Sequence, residues 1–146
     1  MPAATLAAAG ASVHVYDAMA SVGRKFLLAG RGGLNLTPSE PIDRFVTRFG
    51  GRSAQVEPWL AALSPQQLRD WSHDLGIQTF VGTSGRVFPT DMKAAPLLRS
   101  WLHRLRAAGV QFHMRHRWTG EFDTAPGTRS RSLTFATPSG QVAAGA

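Results

Sequence analysis

The apolar residues of this chain follow two spacings, one typical of strands and the other typical of helices. Near the N-terminus Val13 and Val15 alternate with His14 and Tyr16, which predicts a short strand over residues 12–17. Alternation returns later in the chain, where short apolar runs are separated by Gly, Pro and Ser. The strands predicted from alternation are a hairpin or two short strands over 77–90, a strand over 110–115, and a hairpin formed by 132–137 and 141–143.

Apolar residues three and four positions apart predict helices between these strands. The first helix is closed by Gly10, the second starts at Pro41 and stops at Gly50, and another starts at the capping-box residues Ser64 and Gln67. The predicted helices cover residues 3–9, 41–49, 56–62, 64–76 and 92–108. The mixture of helices and strands predicts an α/β fold, mixed α+β in detail.

Residues 18–40 show little periodicity and contain four glycines, at positions 23, 30, 32 and 33. We interpret this segment as a functional loop with one helical turn over 25–29, because long loops in compact domains often carry binding residues. The tail of the chain combines polar loops with the second predicted hairpin.

Composition narrows the class of protein. The chain has 146 residues, 43% of them hydrophobic, and no apolar run reaches the length of about 18 residues that a membrane span needs. It contains no cysteine, so we expect a cytoplasmic protein without disulfides and without membrane association. The histidines and carboxylates lack the spacing of metal ligands, so we predict no metal site.

The net charge of +7 arises from fourteen arginines and two lysines against nine acids. Such a surplus suits phosphate-bearing partners, but it also fits the Arg, Ala, Gly and Pro bias of a G+C-rich genome. One alternative function is therefore a basic nucleic-acid-binding module that combines arginines with Trp118. Its arginines would be Arg99, Arg104, Arg106, Arg115 and Arg117.

Asp17 ends the first predicted strand, where dinucleotide-binding folds place an acid that binds a ribose hydroxyl pair. That acid usually follows the Gly-x-Gly-x-x-Gly turn by about 20 residues. Asp17 lies only sixteen positions after Met1, so the turn would fall upstream of this sequence. An acid that merely caps a turn is the alternative explanation.

Two short motifs in the loop add to this picture. Gly23-Arg24-Lys25 offers a close backbone approach and two cations for a diphosphate, or else is a solvated basic turn. Gly30-Arg31-Gly32-Gly33-Leu34-Asn35 suits backbone passing close to a flat ligand, with the Asn35 amide facing a pyrimidine edge. A flexible glycine-rich connector is the alternative for the second motif.

Three segments together resemble a known family: Val15–Asp17, the run Ser21–Thr37, and Phe80–Pro89 followed by Lys93. They resemble bacterial NAD(P)/FAD-dependent oxidoreductase flavoproteins, which include aminoacetone-oxidase-like and bile-acid-reductase-like proteins. The resemblance runs in order along almost the whole chain. It implies an FAD-dependent enzyme that passes hydride to or from a small organic substrate, with NAD(P)H as a candidate reductant.

The resemblance also implies an architecture: a partial FAD-binding Rossmann-like doubly wound domain plus part of an insert domain of short strands and helices. Residues 1–40 would belong to the FAD-binding part, 41–109 to a helical segment with a hairpin, and 110–146 to a strand-rich segment. Relative to the family pattern, the Gly-rich turn and the C-terminal half are missing. We therefore expect a fragment whose single strand lacks its sheet neighbours and which alone binds FAD weakly.

The resemblance assigns cofactor-binding roles along the loop. Asp17 would bind the adenosine ribose, and Gly23, Arg24 and Lys25 would lie along the diphosphate. The segment Arg31, Gly32, Gly33 and Asn35 would approach the flavin, while Gly85–Pro89 and Lys93 would face the substrate. No residue is nominated as catalytic acid or base. Two further alternatives are a flavoenzyme that reduces a base in RNA and a truncated reading frame without activity.

Overall fold

A computed structural model describes residues 2–124 and 131–145 of the chain. Residues 125–130, part of the predicted strand-rich segment 110–146, lie outside the described residues. The helices are α1 (Pro2–Ala8), α2 (Arg24–Ala29), α3 (Ile42–Thr47), α4 (Ser53–Ala62), α5 (Pro65–Asp74) and α6 (Ala94–Ala107), with a 3₁₀ turn at Gly50–Arg52. The strands are β1 (His14–Asp17), β2 (Thr37–Pro38), β3 (Thr79–Val81), β4 (Arg86–Pro89), β5 (Gln111–Met114), β6 (Arg117–Thr124), β7 (Arg131–Thr137) and β8 (Gly140–Gly145).

The chain forms two compact units. The first contains residues 1–24 and 103–146, and the second contains residues 25–102. Neither boundary coincides with the predicted divisions after residues 40 and 109. The first unit combines both ends of the chain because β1 pairs with β5 across almost a hundred residues of sequence.

The first unit contains a parallel strand pair. β1 and β5 run in register from His14 opposite Gln111 to Asp17 opposite Met114. The expectation that the first strand has no neighbour was therefore wrong. Sequence spacing did not reveal this partner, because a parallel connection leaves no local turn signal between the two strands.

A three-stranded antiparallel sheet completes the first unit, in the order β6-β7-β8. The hairpin predicted over 132–143 is confirmed as β7 and β8. Strand β6 was missed, because the sequence predicted only polar loops beside this hairpin in the tail. The register of β6 against β7 shifts between Trp118 and Phe122, and Gly120 there has φ +92°. This irregularity breaks the alternation that would have marked a strand.

The second unit contains a small antiparallel sheet, in the order β2-β4-β3. The hairpin predicted over 77–90 is confirmed as β3 and β4, and Gly85 in its turn has φ +70°. The two-residue strand β2 was missed within the predicted loop, because Thr37 and Pro38 are held only by their pairing with β4. The pairing with β4 thus determines that β2 forms a strand.

The core of the second unit lies between the loop after α2 and two amphipathic helices, α5 and α6. Its buried residues are Leu34, Leu75, Ala94 and Leu97. Half-buried apolar residues surround them: Phe26, Leu36, Trp71, Ile77 and Trp101. Helix α5 starts as predicted, because Ser64 Oγ accepts the N–H of Gln67 and the Gln67 side chain accepts the N–H of Ser64.

Helix α3 is shorter than predicted. Pro41 is its N-cap rather than its first residue, and the helix ends at Thr47 instead of residue 49. Gly50 adopts φ +53° and opens the 3₁₀ turn, so α4 begins at Ser53, three residues before the predicted start.

The described residues form a mixed α/β structure with a parallel strand pair, as the sequence predicted. Within the same residues, no helix has both the length and the apolar character required to cross a membrane.

Candidate functional site

Asp17 is the last residue of β1, at the carboxyl end of the parallel strand pair. One carboxylate oxygen, Oδ1, accepts the backbone N–H of Met19 at 2.8 Å. This bond fixes the side chain at the point where the chain leaves the sheet. The half-buried carboxylate retains Oδ2, which has no hydrogen bond among the described residues. Ligands of open α/β sheets bind outside this end of the strands.

The segment after β5 is tied to the same end of the sheet. The N–H of Arg115 donates to the carbonyl of Met19 at 2.9 Å, and the N–H of His116 donates to the carbonyl of Asp17 at 2.9 Å. Arg115 has φ +58°, a left-handed conformation that is uncommon for a residue with a side chain. Sequence reasoning had placed this arginine only in the alternative nucleic-acid patch. The pairing of β1 with β5, which sequence spacing did not reveal, brings its backbone to that of Met19, two residues after Asp17.

The Gly23-Arg24-Lys25 motif forms the entry into α2. Gly23 has φ +74°, and α2 begins at the next residue, so the predicted helical turn is confirmed. Arg24 and Lys25 are exposed, and neither side chain has a hydrogen bond or ion pair within the described parts of the chain. Two free cations in sequence leave positive charge available for an anionic group.

The Gly30–Asn35 loop combines structural glycines with one open glycine. A Cβ on Gly30 would collide with the Cβ of Ala94, and one on Gly33 would lie 2.7 Å from Cε of Met92. Gly30 excludes a side chain because the Cβ of Ala94 is attached directly to the backbone and cannot move away. At Gly33 the flexible end of Met92 could move, but φ +126° is a conformation that residues with a side chain rarely adopt. Gly32 differs, since it has φ +81° and a Cβ added to it would meet no other atom within 4 Å. Its backbone is therefore open to the surroundings.

The end of this loop alternates between core and surface. Leu34 is buried, and its N–H donates to the carbonyl of Met92 at 3.0 Å, while the N–H of Leu36 donates to the carbonyl of Val87 at 2.9 Å. Asn35 between them is exposed. The Asn35 amide and the Arg31 guanidinium have no hydrogen bond among residues 2–124 and 131–145. The loop thus holds both polar groups outward on a fixed backbone.

The segment Gly85–Pro89 serves mainly as a core strand. Val87 and Pro89 are among the most deeply buried side chains of the second unit. The exposed groups near it are Arg86 and Lys93, the latter with its N–H on Oδ1 of Asp91 at 3.1 Å. A substrate-facing role for this segment stays a prediction that concerns these exposed groups.

Arg106 of the alternative nucleic-acid patch and two histidines of the parallel strand pair are engaged within the first unit. The ring of His113 stacks on Tyr16 with centroids 4.6 Å apart, and its Nε2 lies 2.9 Å from Nδ1 of His14. The pKa of His113 is lowered, mainly because the ring is partly buried and to a lesser extent because of the neighbouring His14 and His116. The guanidinium of Arg106 lies 5.3 Å from the ring centre of Phe112. These contacts give the histidines and one arginine a packing role.

Comparison with known protein families decides the affiliation. The family model for the HI0933-like protein Rossmann domain matches residues 1–142, nearly the entire chain. The chain belongs to this family. HI0933-like proteins are a family of FAD-binding oxidoreductases, in agreement with the resemblance carried by the loop motifs. No curated protein matches the chain.

The exposed groups fit the chemistry of FAD, the cofactor of the HI0933-like family. A ribose needs an acceptor such as the free oxygen of Asp17, and a diphosphate needs cations such as Arg24 and Lys25. The open backbone at Gly32 leaves room for a flat ring. Within the described residues, no group of three or more His, Asp or Glu side chains is arranged to hold a metal ion.

Proposed function

We propose that this chain is the cofactor-binding part of a flavin-dependent oxidoreductase that transfers hydride between FAD and a small organic substrate. The observation that carries the proposal is the position of Asp17, half-buried at the carboxyl end of a parallel strand with one carboxylate oxygen free. In open α/β sheets an acid at this position binds a ribose of the dinucleotide. The membership in an FAD-binding family supports the same function.

The roles of the loop residues follow from their chemistry. Asp17 would accept hydrogen bonds from the adenosine ribose, while Gly23 would let the backbone approach and Arg24 and Lys25 would neutralise the diphosphate. Since the side chains of Arg24 and Lys25 point about 100° apart on α2, they would contact different phosphate oxygens rather than one.

Arg31, Gly32, Gly33 and Asn35 would lie at the flavin. The Asn35 amide both donates and accepts, as the pyrimidine edge of the ring requires. When FAD is bound, it supplies the hydride chemistry, and the protein residues position the ring and adjust the charge around it. The roles of Gly33 and Asn35 depend on the same backbone, which the core contacts of Leu34 hold in place.

Arg115 extends the proposed site beyond the residues that the sequence indicated. Its backbone is bonded to the segment that carries Asp17, and its guanidinium has no hydrogen bond in the described parts of the chain. A cation there would add to the attraction for the dinucleotide phosphates. We further propose NAD(P)H as the reductant and the cytoplasm as the location.

Titration of the chain with FAD, followed by quenching of flavin fluorescence, tests the proposal. Asp17→Asn keeps Oδ1 for the N–H of Met19 but removes the charge that the ribose hydroxyls would meet. We expect it to raise Kd about 10- to 100-fold, the usual effect of losing hydrogen bonds to a charged group. Asp43→Asn, at an exposed acid on α3, is the matched control and should leave Kd unchanged.

The proposal is wrong if Asp17→Asn binds FAD as tightly as the unchanged chain. It is also wrong for this chain if no quenching occurs up to about 1 mM FAD, since binding weaker than that contributes little at cellular cofactor concentrations.

A further inference from the structure

A second candidate site lies within the second unit, where the end of β2 meets the first turns of α3 and α5. A cavity of about 330 Å³ is present there. Three prolines and Ile42 form its apolar walls, at positions 38, 41 and 65 for the prolines. Ligand pockets in proteins begin at about this volume, so the cavity would accept only a small molecule.

Two oppositely charged side chains line the cavity, but only one of them is free to meet a ligand. Glu40 forms an ion pair with Arg48, in which Nη2 of Arg48 donates to Oε2 of Glu40 at 3.0 Å. The other carboxylate oxygen, Oε1, contacts Nε of Arg48 but has no hydrogen bond among the described residues. The charge of Arg48 offsets that of Glu40. Arg69 has no acid as partner within residues 2–124 and 131–145, so its charge dominates the cavity.

The side chain of Arg69 is held in place through its Nε atom. Its Nε–H donates to Oγ1 of Thr79 at 3.3 Å, and the same oxygen lies 2.8 Å from Nε2 of His73. These contacts use Nε and leave both Nη groups without a hydrogen bond in the described parts of the chain. A half-buried guanidinium held through one nitrogen presents its other two nitrogens in a fixed geometry, which suits the two oxygens of a carboxylate.

The other polar groups around the cavity are already engaged. The hydroxyl of Ser39 donates to the carbonyl of Gly85 at 2.9 Å, and Oγ of Ser64 accepts the N–H of Gln67. The amide nitrogen of Gln66 donates to Oδ1 of Asp70 at 2.7 Å. The cavity therefore combines one free cation with apolar walls.

We propose that this cavity is a binding site for a small organic monocarboxylate with an apolar body. The carboxylate pairs with the Nη groups of Arg69, and the apolar body packs against Ile42 and the three prolines. Burial of that body against the proline rings would supply most of the affinity, and Arg69 would supply the selectivity for an acid. The site lies wholly within residues 38–69 and does not depend on the proposed flavin function.

The test uses benzoate and its uncharged isostere benzamide as probes, with inorganic phosphate as a third. Binding to the full chain is followed by the ¹⁵N–¹H signals of the arginine Nε groups and of residues 38–69. We expect benzoate to shift these signals, and benzamide and phosphate to bind at least about tenfold more weakly, since each lacks half of the required chemistry. Equal binding of benzoate and phosphate would mean that the apolar walls play no part, and would overturn the proposal.

Two variants and one control complete the test. Arg69→Gln should raise the Kd of benzoate about 10- to 100-fold, whereas Arg44→Gln, at an exposed arginine outside the cavity, should leave it unchanged. If Arg69→Gln fails to fold, Ile42→Glu keeps the proposal testable. Ile42 is 40% exposed at the start of α3, where an acid is favourable, so the fold should persist while the new carboxylate repels benzoate. Unchanged benzoate binding in the folded Ile42→Glu variant would overturn the proposal.

Discussion

Gly30→Ala should destabilise the second unit because of a collision between two groups that cannot move away from each other. A Cβ on Gly30 would meet the Cβ of Ala94 at less than contact distance and the Cα of Ala94 at 3.5 Å. Carbon atoms in contact are about 3.5 to 4.0 Å apart. Both methyl groups are attached directly to backbone, so no rotamer relieves the overlap and one segment must shift.

The expected cost is about 2 to 3 kcal/mol, the upper part of the range for overpacking, because Ala94 is buried in the core. Two other glycines provide matched comparisons. Gly32→Ala has open space but φ +81°, so it should cost about 1 kcal/mol through backbone strain alone. Gly51→Ala has open space and no positive φ, and it should be neutral or stabilising by up to about 1 kcal/mol.

These differences are measured by urea unfolding of the unchanged chain and of the three alanine variants, with one common slope m for all four. A double-mutant cycle identifies the cause: in an Ala94→Gly background the added methyl group at position 30 has no partner to strike. We expect the cost of Gly30→Ala to fall by at least about 1 kcal/mol in that background. A Gly30→Ala chain as stable as Gly51→Ala, or an unchanged cost in the Ala94→Gly background, would refute the reasoning.

Three further predictions concern stability. Ser64→Ala removes the acceptor of the Gln67 N–H at the start of α5 and should cost about 1 kcal/mol in urea unfolding. Leu97→Ala, at a side chain only 1% exposed, should cost about 2 to 5 kcal/mol in thermal or urea unfolding, whereas Leu28→Ala, 57% exposed, should cost far less. Partial burial and neighbouring imidazoles lower the pKa of His113, so the unfolded chain binds a proton there first as the pH falls. The free energy of unfolding should therefore drop below about pH 6.5 and level off at lower pH, and His113→Asn should weaken that drop; a pH dependence identical in both chains would contradict this assignment.

Local elements were largely readable from the sequence. The reciprocal bonds of Ser64 and Gln67 begin α5 as predicted, since a capping box involves residues only three positions apart. The hairpin β3–β4 and its turn at Gly85 were likewise predicted, because the signal for a tight turn lies within the turn itself. The position of Asp17 at the end of a strand also followed from the alternation before it.

The tertiary structure decided which of these elements meet. The parallel pairing of β1 with β5 brings Arg115 to the backbone of Met19, a contact between residues almost a hundred positions apart that no local pattern encodes. The same holds for Gly30, which the sequence suggested for ligand approach but which lies against Ala94 in the core. The restraint of the Arg69 Nε by Oγ1 of Thr79 is likewise a contact between two elements that no local pattern encodes. Spacing along the chain reports the face on which a residue lies, whereas long-range packing determines what that face contacts.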